Sequence, residues 1–148
     1  MERRKFLKVC GLSCVGAFSI SLLATGCSGV KYIYTNAEND ILKIDTANFL
    51  EKDVEKNTVT YLKSIIVKPN ISDFPIVIYR NSESDYTALL LRCTHQGNEL
   101  NVYGELLTCS AHGSEFDKKG KVLQGPAEES LIRFPVDLKN NFLDINLA

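Results

Sequence analysis

The sequence has only two histidines, no net positive charge and no long basic run outside its first residues. The net charge of the 148 residues is −1, and the densest basic group, at Lys118, Lys119 and Lys121, is typical of a solvated turn. Proteins that bind nucleic acid by counterion release carry clustered positive charge. The composition therefore argues against a nucleic-acid partner. With 45% hydrophobic residues and no disordered bias, the chain is long enough for one folded domain.

The first residues have the composition of an export signal. A basic head that contains Arg3 and Arg4 precedes a weakly apolar run that ends near Gly26. The pair Arg3-Arg4 followed by "KFLK" resembles a twin-arginine signal, so we predict a signal peptide of that type over residues 1–26. The expected route crosses the bacterial inner membrane and leaves the protein in the periplasm.

The segment "LATGCS" around Cys27 resembles a lipobox, in which the cysteine is lipidated after cleavage. The alternative is an uncleaved anchor, because about eighteen residues at ~1.5 Å each would span roughly 27 Å of a membrane. Both interpretations tether the protein to the membrane, through a lipid or through an N-terminal helix. We divide the remainder into a tether over residues 27–40 and one domain over residues 41–148.

Short strands separated by turn residues are expected along the body of the chain. "TVTYLKSIIV" (residues 58–67), "FPIVIYR" and "YTALLLRC" are rich in β-branched and aromatic residues, and Asn140-Asn141 marks a turn before the last strand. This spacing predicts an all-β, antiparallel sandwich or barrel without βαβ units. "NFLEKDVEKN" is compatible with a short helix or a long loop.

Both histidines stand just behind a cysteine, in two matching boxes. Box one contains Cys93 and His95, and box two contains Cys109 and His112. Thirteen residues separate His95 from Cys109, enough for an excursion out and back with Gly104 at its turn. We therefore predict that each box lies at a hairpin tip and that the two tips meet.

Two cysteines and two histidines leave several kinds of site open. Zinc modules usually pair Cys with Cys and His with His, whereas each box here is mixed. Mixed boxes suit a binuclear cluster, because each loop can give its Cys to one iron and its His to the other, as in Rieske centres. A disulfide between Cys93 and Cys109 is compatible with export but leaves the histidines unexplained.

"CTHQGN…CSAHGS" resembles the Rieske signature C-x-H…C-x-x-H, and the similarity extends from about Phe74 to Val136. The resemblance implies a Rieske-like fold with a cluster-binding subdomain of two loops and one 2Fe–2S cluster per chain. It also implies a covering loop at Gly125-Pro126-Ala127 and a hydroxyl that bonds a bridging sulfide. The cofactor-binding residues that it implies are Cys93, His95, Cys109 and His112 as metal ligands, and Ser114 as the hydroxyl donor.

Two features of the high-potential Rieske proteins are missing. The positions of their disulfide cysteines hold Asn98 and Ala111, and the position of the tyrosine that bonds a cysteine sulfur holds Phe116. Hydrogen bonds to the sulfurs raise the reduction potential. The resemblance therefore implies a potential in the lower to middle part of a span of roughly −150 to +300 mV.

The expected function is electron transfer, by a free carrier or by a subunit of an oxidoreductase complex without its own catalytic site, between redox partner proteins. A catalytic oxygenase subunit would need two further histidines for a mononuclear iron, and none remains. The alternative is a zinc-stabilised, exported binding module with no redox role. The cluster accounts better for the cysteines: Cys10 and Cys14 leave with the signal, Cys27 takes lipid, and none is left over.

Overall fold

A computed structural model describes residues 30–53 and 57–148. Strands dominate this part of the chain, and its one helix is a 3-10 turn at Thr46–Phe49. The all-β prediction is confirmed. The strands are β1 Lys31–Thr35, β2 Ile41–Asp45, β3 Leu50–Asp53, β4 Thr58–Tyr61, β5 Ser64–Pro69, β6 Ile76–Arg80, β7 Tyr86–Leu90, β8 Asn101–Tyr103, β9 Leu106–Thr108, β10 Glu115–Asp117, β11 Val122–Gln124, β12 Arg133–Phe134, β13 Val136–Lys139 and β14 Phe142–Asn146.

A five-stranded sheet in the order β1-β5-β6-β7-β12 lies at the centre of the molecule. Adjacent strands of this sheet pair antiparallel, except β1 and β5, which run parallel. The consecutive residues Ile65, Ile66 and Val67 are all buried, because both faces of the sheet are covered. Continuous apolar runs of this length are typical of strands buried on both sides.

One face of the central sheet packs against a three-stranded sheet in the order β13-β14-β2. The core on this side contains Leu42 of β2, Leu143 of β14 and Ile78 of β6. Asn140 and Asn141 join β13 to β14 with φ values of 50° and 65°. Two positive-φ residues form the hairpin turn whose twist matches its strands, so the predicted turn is confirmed.

The other face carries the four-stranded sheet β11-β10-β9-β8 and the two boxes. Leu107 and Phe116 of this sheet are fully buried against the central sheet. The Tyr79 hydroxyl donates to the carbonyl of Gly104 at 3.0 Å, and burial raises the pKa of this phenol. The β8–β9 hairpin is thus held at its turn, while its two other ends lead into the boxes.

Residues 58–67 form two strands, where the sequence predicts one. The break falls at Leu62 and Lys63, since the Leu62 amide donates to the carbonyl of Phe49 and the chain changes partner there. β4 pairs with β3, whereas β5 pairs with β1 and β6. In the segment "NFLEKDVEKN", the described residues form the end of the 3-10 helix and β3, not a long loop.

Part of the predicted tether lies in the fold. Lys31–Thr35 forms β1, an edge strand whose register places Lys31 opposite Ile65. The predicted signal over residues 1–26 and Cys27 lie outside the described residues, and the division into signal, tether and domain stays a prediction. Among the described residues, no helix has both the length and the apolar character that a membrane crossing needs.

Candidate metal centre

Box one is a closed loop at the end of β7. The Cys93 amide donates to the Asn98 carbonyl at 2.8 Å, and the Gly97 amide donates back to the Cys93 carbonyl at 2.8 Å. Gly97 has a φ of 76°, which favours glycine. An antiparallel bridge between Arg92 and Glu99 closes the base of the loop. These contacts therefore fix the backbone on which Cys93 stands.

Box two repeats this geometry between β9 and β10. The Cys109 amide donates to the Ser114 carbonyl at 2.8 Å, and the Gly113 amide donates to the Cys109 carbonyl at 2.8 Å. Gly113 has a φ of 79°. The two boxes are thus the same loop built twice, each closed by its cysteine and its glycine. The hairpin tip predicted for box two is confirmed, since β9 and β10 pair antiparallel. Box one is a loop between β7 and β8, which lie in different sheets and are joined at its base by the bridge between Arg92 and Glu99.

The two tips meet, with the cysteines inside and the histidines outside. Cys93 and Cys109 are 2% and 1% exposed and are free thiols, so the disulfide alternative is not formed. The rings of His95 and His112 are exposed and lie edge to face, with 5.1 Å between their centroids. The structure therefore brings together all four predicted ligands, as two buried sulfurs and two imidazoles at the surface.

The described residues give no support to a single metal ion held by these side chains. Within residues 30–53 and 57–148, no set of three or more His, Cys, Asp or Glu side chains is placed to hold one metal ion. A tetrahedral zinc site needs four protein ligands around one point. The zinc alternative therefore finds no support, whereas a binuclear cluster needs only two protein ligands for each iron.

A family model described as "Rieske [2Fe-2S] domain" matches residues 50–135, which is more than half of the chain. The chain belongs to this family. Membership implies a 2Fe–2S cluster and an electron-transfer role, so the predicted family, fold class and cofactor are confirmed.

Solved structures similar to this Rieske protein include a membrane Rieske protein, a complex of an oxygenase with a ferredoxin, and a monooxygenase. The cyanobacterial plasma membrane Rieske protein PetC3 from Synechocystis PCC 6803 is 28% identical, over 56% of this chain and 85% of that chain, with a TM-score of 0.48. The complex of reduced oxygenase and oxidized ferredoxin in carbazole 1,9a-dioxygenase contains a chain 19% identical, over 74% of this chain and 94% of that chain, with a TM-score of 0.51.

The quaternary ammonium Rieske monooxygenase CntA with L-carnitine is 23% identical, over 57% of this chain and 28% of that chain, with a TM-score of 0.47. Among curated proteins, no sequence matches the chain.

Ser114 lies at the centre of the Rieske loops. It is fully buried, and its hydroxyl oxygen accepts a hydrogen bond from the Ala127 amide at 3.0 Å. Because the amide supplies that hydrogen, the hydroxyl proton of Ser114 is free to donate to another atom. Phe116, two residues later, is fully buried and has no hydroxyl to offer. The two positions thus keep one of the two donors that the family resemblance implies.

The loop over residues 125–130 contacts both boxes. It reaches box two through the bond from Ala127 to Ser114, and it reaches box one through Thr94, whose hydroxyl donates to the Glu129 carbonyl at 2.7 Å. The sequence predicts this covering loop at Gly125-Pro126-Ala127 but gives no sign of the Thr94 contact, because its partner lies 35 residues away. The three segments are therefore joined into one tip.

Arg92 distinguishes box one from box two. Its guanidinium carbon lies 5.6 Å from the ring centre of Phe74, and its nitrogens lie 3.2 Å from the place where a Cβ on Gly97 would stand. At Gly113 the nearest atom to such a Cβ is 3.9 Å away. Beside box one lies a cavity of about 430 Å³, which Arg92 and His95 help to line.

Proposed function

We propose that this protein transfers electrons through a 2Fe–2S cluster held by Cys93 and Cys109 on one iron and by His95 and His112 on the other. The observation that carries the proposal is the meeting of two like-folded loops that present two buried thiols and two exposed imidazoles. The matching backbone geometry of the boxes, each with one Cys and one His, supports this division of ligands.

The residues of the tip divide the work of an electron carrier. When bound, the cluster supplies a centre that accepts and releases one electron at a time. Cys93 and Cys109 hold their ends of the site away from water, because both are buried in the core. His95 and His112 lie at the surface, where a redox partner can come close to the iron that they would hold. Ser114 offers a hydroxyl proton toward the sulfurs and favours the reduced state.

We further propose that the domain is exported by the twin-arginine route and remains tethered to the membrane, facing the periplasm. The basic pair Arg3-Arg4 and the "LATGCS" segment at Cys27 support this location. The twin-arginine route carries folded proteins, which suits a cofactor inserted before export. The tether is a lipid on Cys27 or an uncleaved helix over residues 1–26.

Protein partners supply and remove the electron in this proposal. The carbazole 1,9a-dioxygenase structure is a complex of a reduced oxygenase and an oxidized ferredoxin, so its redox partners are proteins. A small, one-cluster domain of the same fold suits the same kind of exchange, either free or as a subunit of an oxidoreductase complex.

Iron and acid-labile sulfide analysis of ligand variants tests the assignment. The wild-type protein should contain iron and sulfide in equal amounts, whereas His95→Ala and Cys109→Ser should each lose both, because metal bonds hold these loops together. Ser110→Ala is the matched control, since Ser110 lies in the same loop and is exposed. Zinc without sulfide in the wild-type protein, or full iron content in both ligand variants, would contradict the assignment.

A further inference from the structure

The end of the fold nearest the predicted anchor is Val30, the first described residue. Val30 lies beside Lys63 and Gly104 at a cavity of about 270 Å³. Gly104 is the turn of the β8–β9 hairpin, and both other ends of that hairpin lead into the boxes. Cys109 follows Gly104 by five residue steps, a span of roughly 17 Å at about 3.3 Å per residue.

Sheet register gives the same separation by an independent path. Lys31 pairs with Ile65, Ile65 with Ile78, and Ile78 with Ala88, so the start of β1 lies level with Ala88 of β7. Cys93 follows five residues later in the direction of β7, again roughly 17 Å further along. β1 runs parallel to β7, so Val30 lies at the end of the sheet that is remote from both boxes.

The chain between the predicted anchor and the fold is short. Only Ser28 and Gly29 separate Cys27 from Val30, and three residue steps reach at most about 11 Å when fully extended. An uncleaved anchor that ends at Gly26 adds only one step. Neither length is sufficient to carry the chain from the membrane surface around the domain to the boxes.

The surface around the histidines has the composition of a protein contact. Ile132, which is 52% exposed, lines the cavity beside His95. Leu123, which is 58% exposed, precedes Gln124. The side-chain amide of Gln124 donates to the Gly113 carbonyl of box two. Exposed apolar side chains among polar neighbours are typical of sites where proteins associate.

From these distances we infer that the histidine edges of the tip face away from the membrane. They exchange electrons with the extramembrane domain of a redox protein, not with a quinone dissolved in the lipid. This orientation rests on the tether of the proposed function. A domain anchored at Val30 presents its Gly104 end to the bilayer and holds its boxes on the far side.

Nitroxide labels at the two ends of the full-length, membrane-tethered protein test this orientation. Lys63→Cys places a label at the Val30 end, and Glu128→Cys places one in the loop beside the boxes; both positions are exposed. Vesicles containing nickel-chelating lipid headgroups relax nearby nitroxides. With the cluster kept oxidised, nickel lipids should shorten the relaxation time of the Lys63→Cys label several-fold more than that of the Glu128→Cys label.

Vesicles of the same composition without nickel are the control, and visible absorption verifies that each variant keeps its cluster. Equal relaxation of the two labels, or stronger relaxation at position 128, would overturn the orientation. If the protein does not float with the vesicles, the tether is wrong and the orientation falls with it. Its iron and sulfide content would still show whether the electron-transfer assignment holds.

Discussion

At the scale of single residues, Ser114 joins the parts of the site. Its carbonyl accepts the hydrogen bond from the Cys109 amide that closes box two, and its hydroxyl oxygen accepts one from the Ala127 amide. Its side chain is fully buried. The matching carbonyl in box one belongs to Asn98, which is exposed. The two loops therefore share a backbone but differ in what they offer to a bound cluster.

Ser114→Ala should keep the cluster but lower its reduction potential. The hydroxyl donor stabilises the more negative, reduced state, and a hydrogen bond to a charged group contributes about 1.5–3 kcal/mol. Only the difference in bond strength between the two redox states shifts the potential, so for a one-electron couple the fall should be at most roughly 60–130 mV. Voltammetry of the variant beside Ser110→Ala, whose potential should stay at the wild-type value, measures the effect. An unchanged potential in Ser114→Ala would show that the hydroxyl does not reach a sulfur.

Individual residues also show what the sequence can and cannot predict about the site. Cys93 and His95 are separated by one residue, so local spacing alone predicts that they act together. The bond from Thr94 to Glu129 and the approach of Arg92 to Gly97 and Phe74 depend on how distant segments pack. No periodicity in the chain encodes those contacts. The sequence therefore predicts the metal ligands but not the contacts that hold their loops in place.

At the scale of elements, the two box loops form a natural pair for comparison. Both glycines have left-handed φ values, and alanine in that region costs about 1–2 kcal/mol. A Cβ at Gly97 would also press on the Arg92 guanidinium, whereas a Cβ at Gly113 meets nothing closer than 3.9 Å. Arg92 is exposed and its guanidinium can shift by the few tenths of an ångström that a Cβ needs, so Gly97→Ala should destabilise the protein only slightly more than Gly113→Ala does.

Urea midpoints from circular dichroism measure this difference in unfolding free energy. Removing the guanidinium with Arg92→Ala should bring the cost of Gly97→Ala down to that of Gly113→Ala, because the shared contact is then gone. A larger cost at Gly113, or a cost at Gly97 that Arg92→Ala leaves unchanged, would mean that the guanidinium does not lie against box one.

Strand boundaries show the same division between local and tertiary information. The strands β6, β7 and β14 and the turn at Asn140-Asn141 follow from β-branched runs and turn residues, and the sequence predicts them. The break at Leu62 does not follow from its neighbours, because it is set by the bond to the Phe49 carbonyl. The sequence predicts a tether over β1, since the pairing of β1 with β5 joins segments that are distant in the chain.

At the scale of the whole molecule, one central sheet separates two cores. Its first face, with Val77 and Leu89, packs under the boxes, and its second face, with Ile76 and Ile78, packs against β2 and β14. Cys93 and Cys109 are part of the first core. The second core is formed entirely away from the predicted ligands, so it supports the sheet from which both boxes project. Val30 packs against this same first core, and the strand register, not the layering, separates it from the boxes along the sheet.

The measurement that tests the central claim most directly is an electron paramagnetic resonance spectrum of the dithionite-reduced protein. Two thiolates on one iron and two imidazoles on the other should give the low average g value of a mixed-ligand 2Fe–2S centre, and His95→Ala should remove that signal. A spectrum typical of a cluster held by four thiolates, or no signal from protein that contains iron and sulfide, would contradict the proposed ligands.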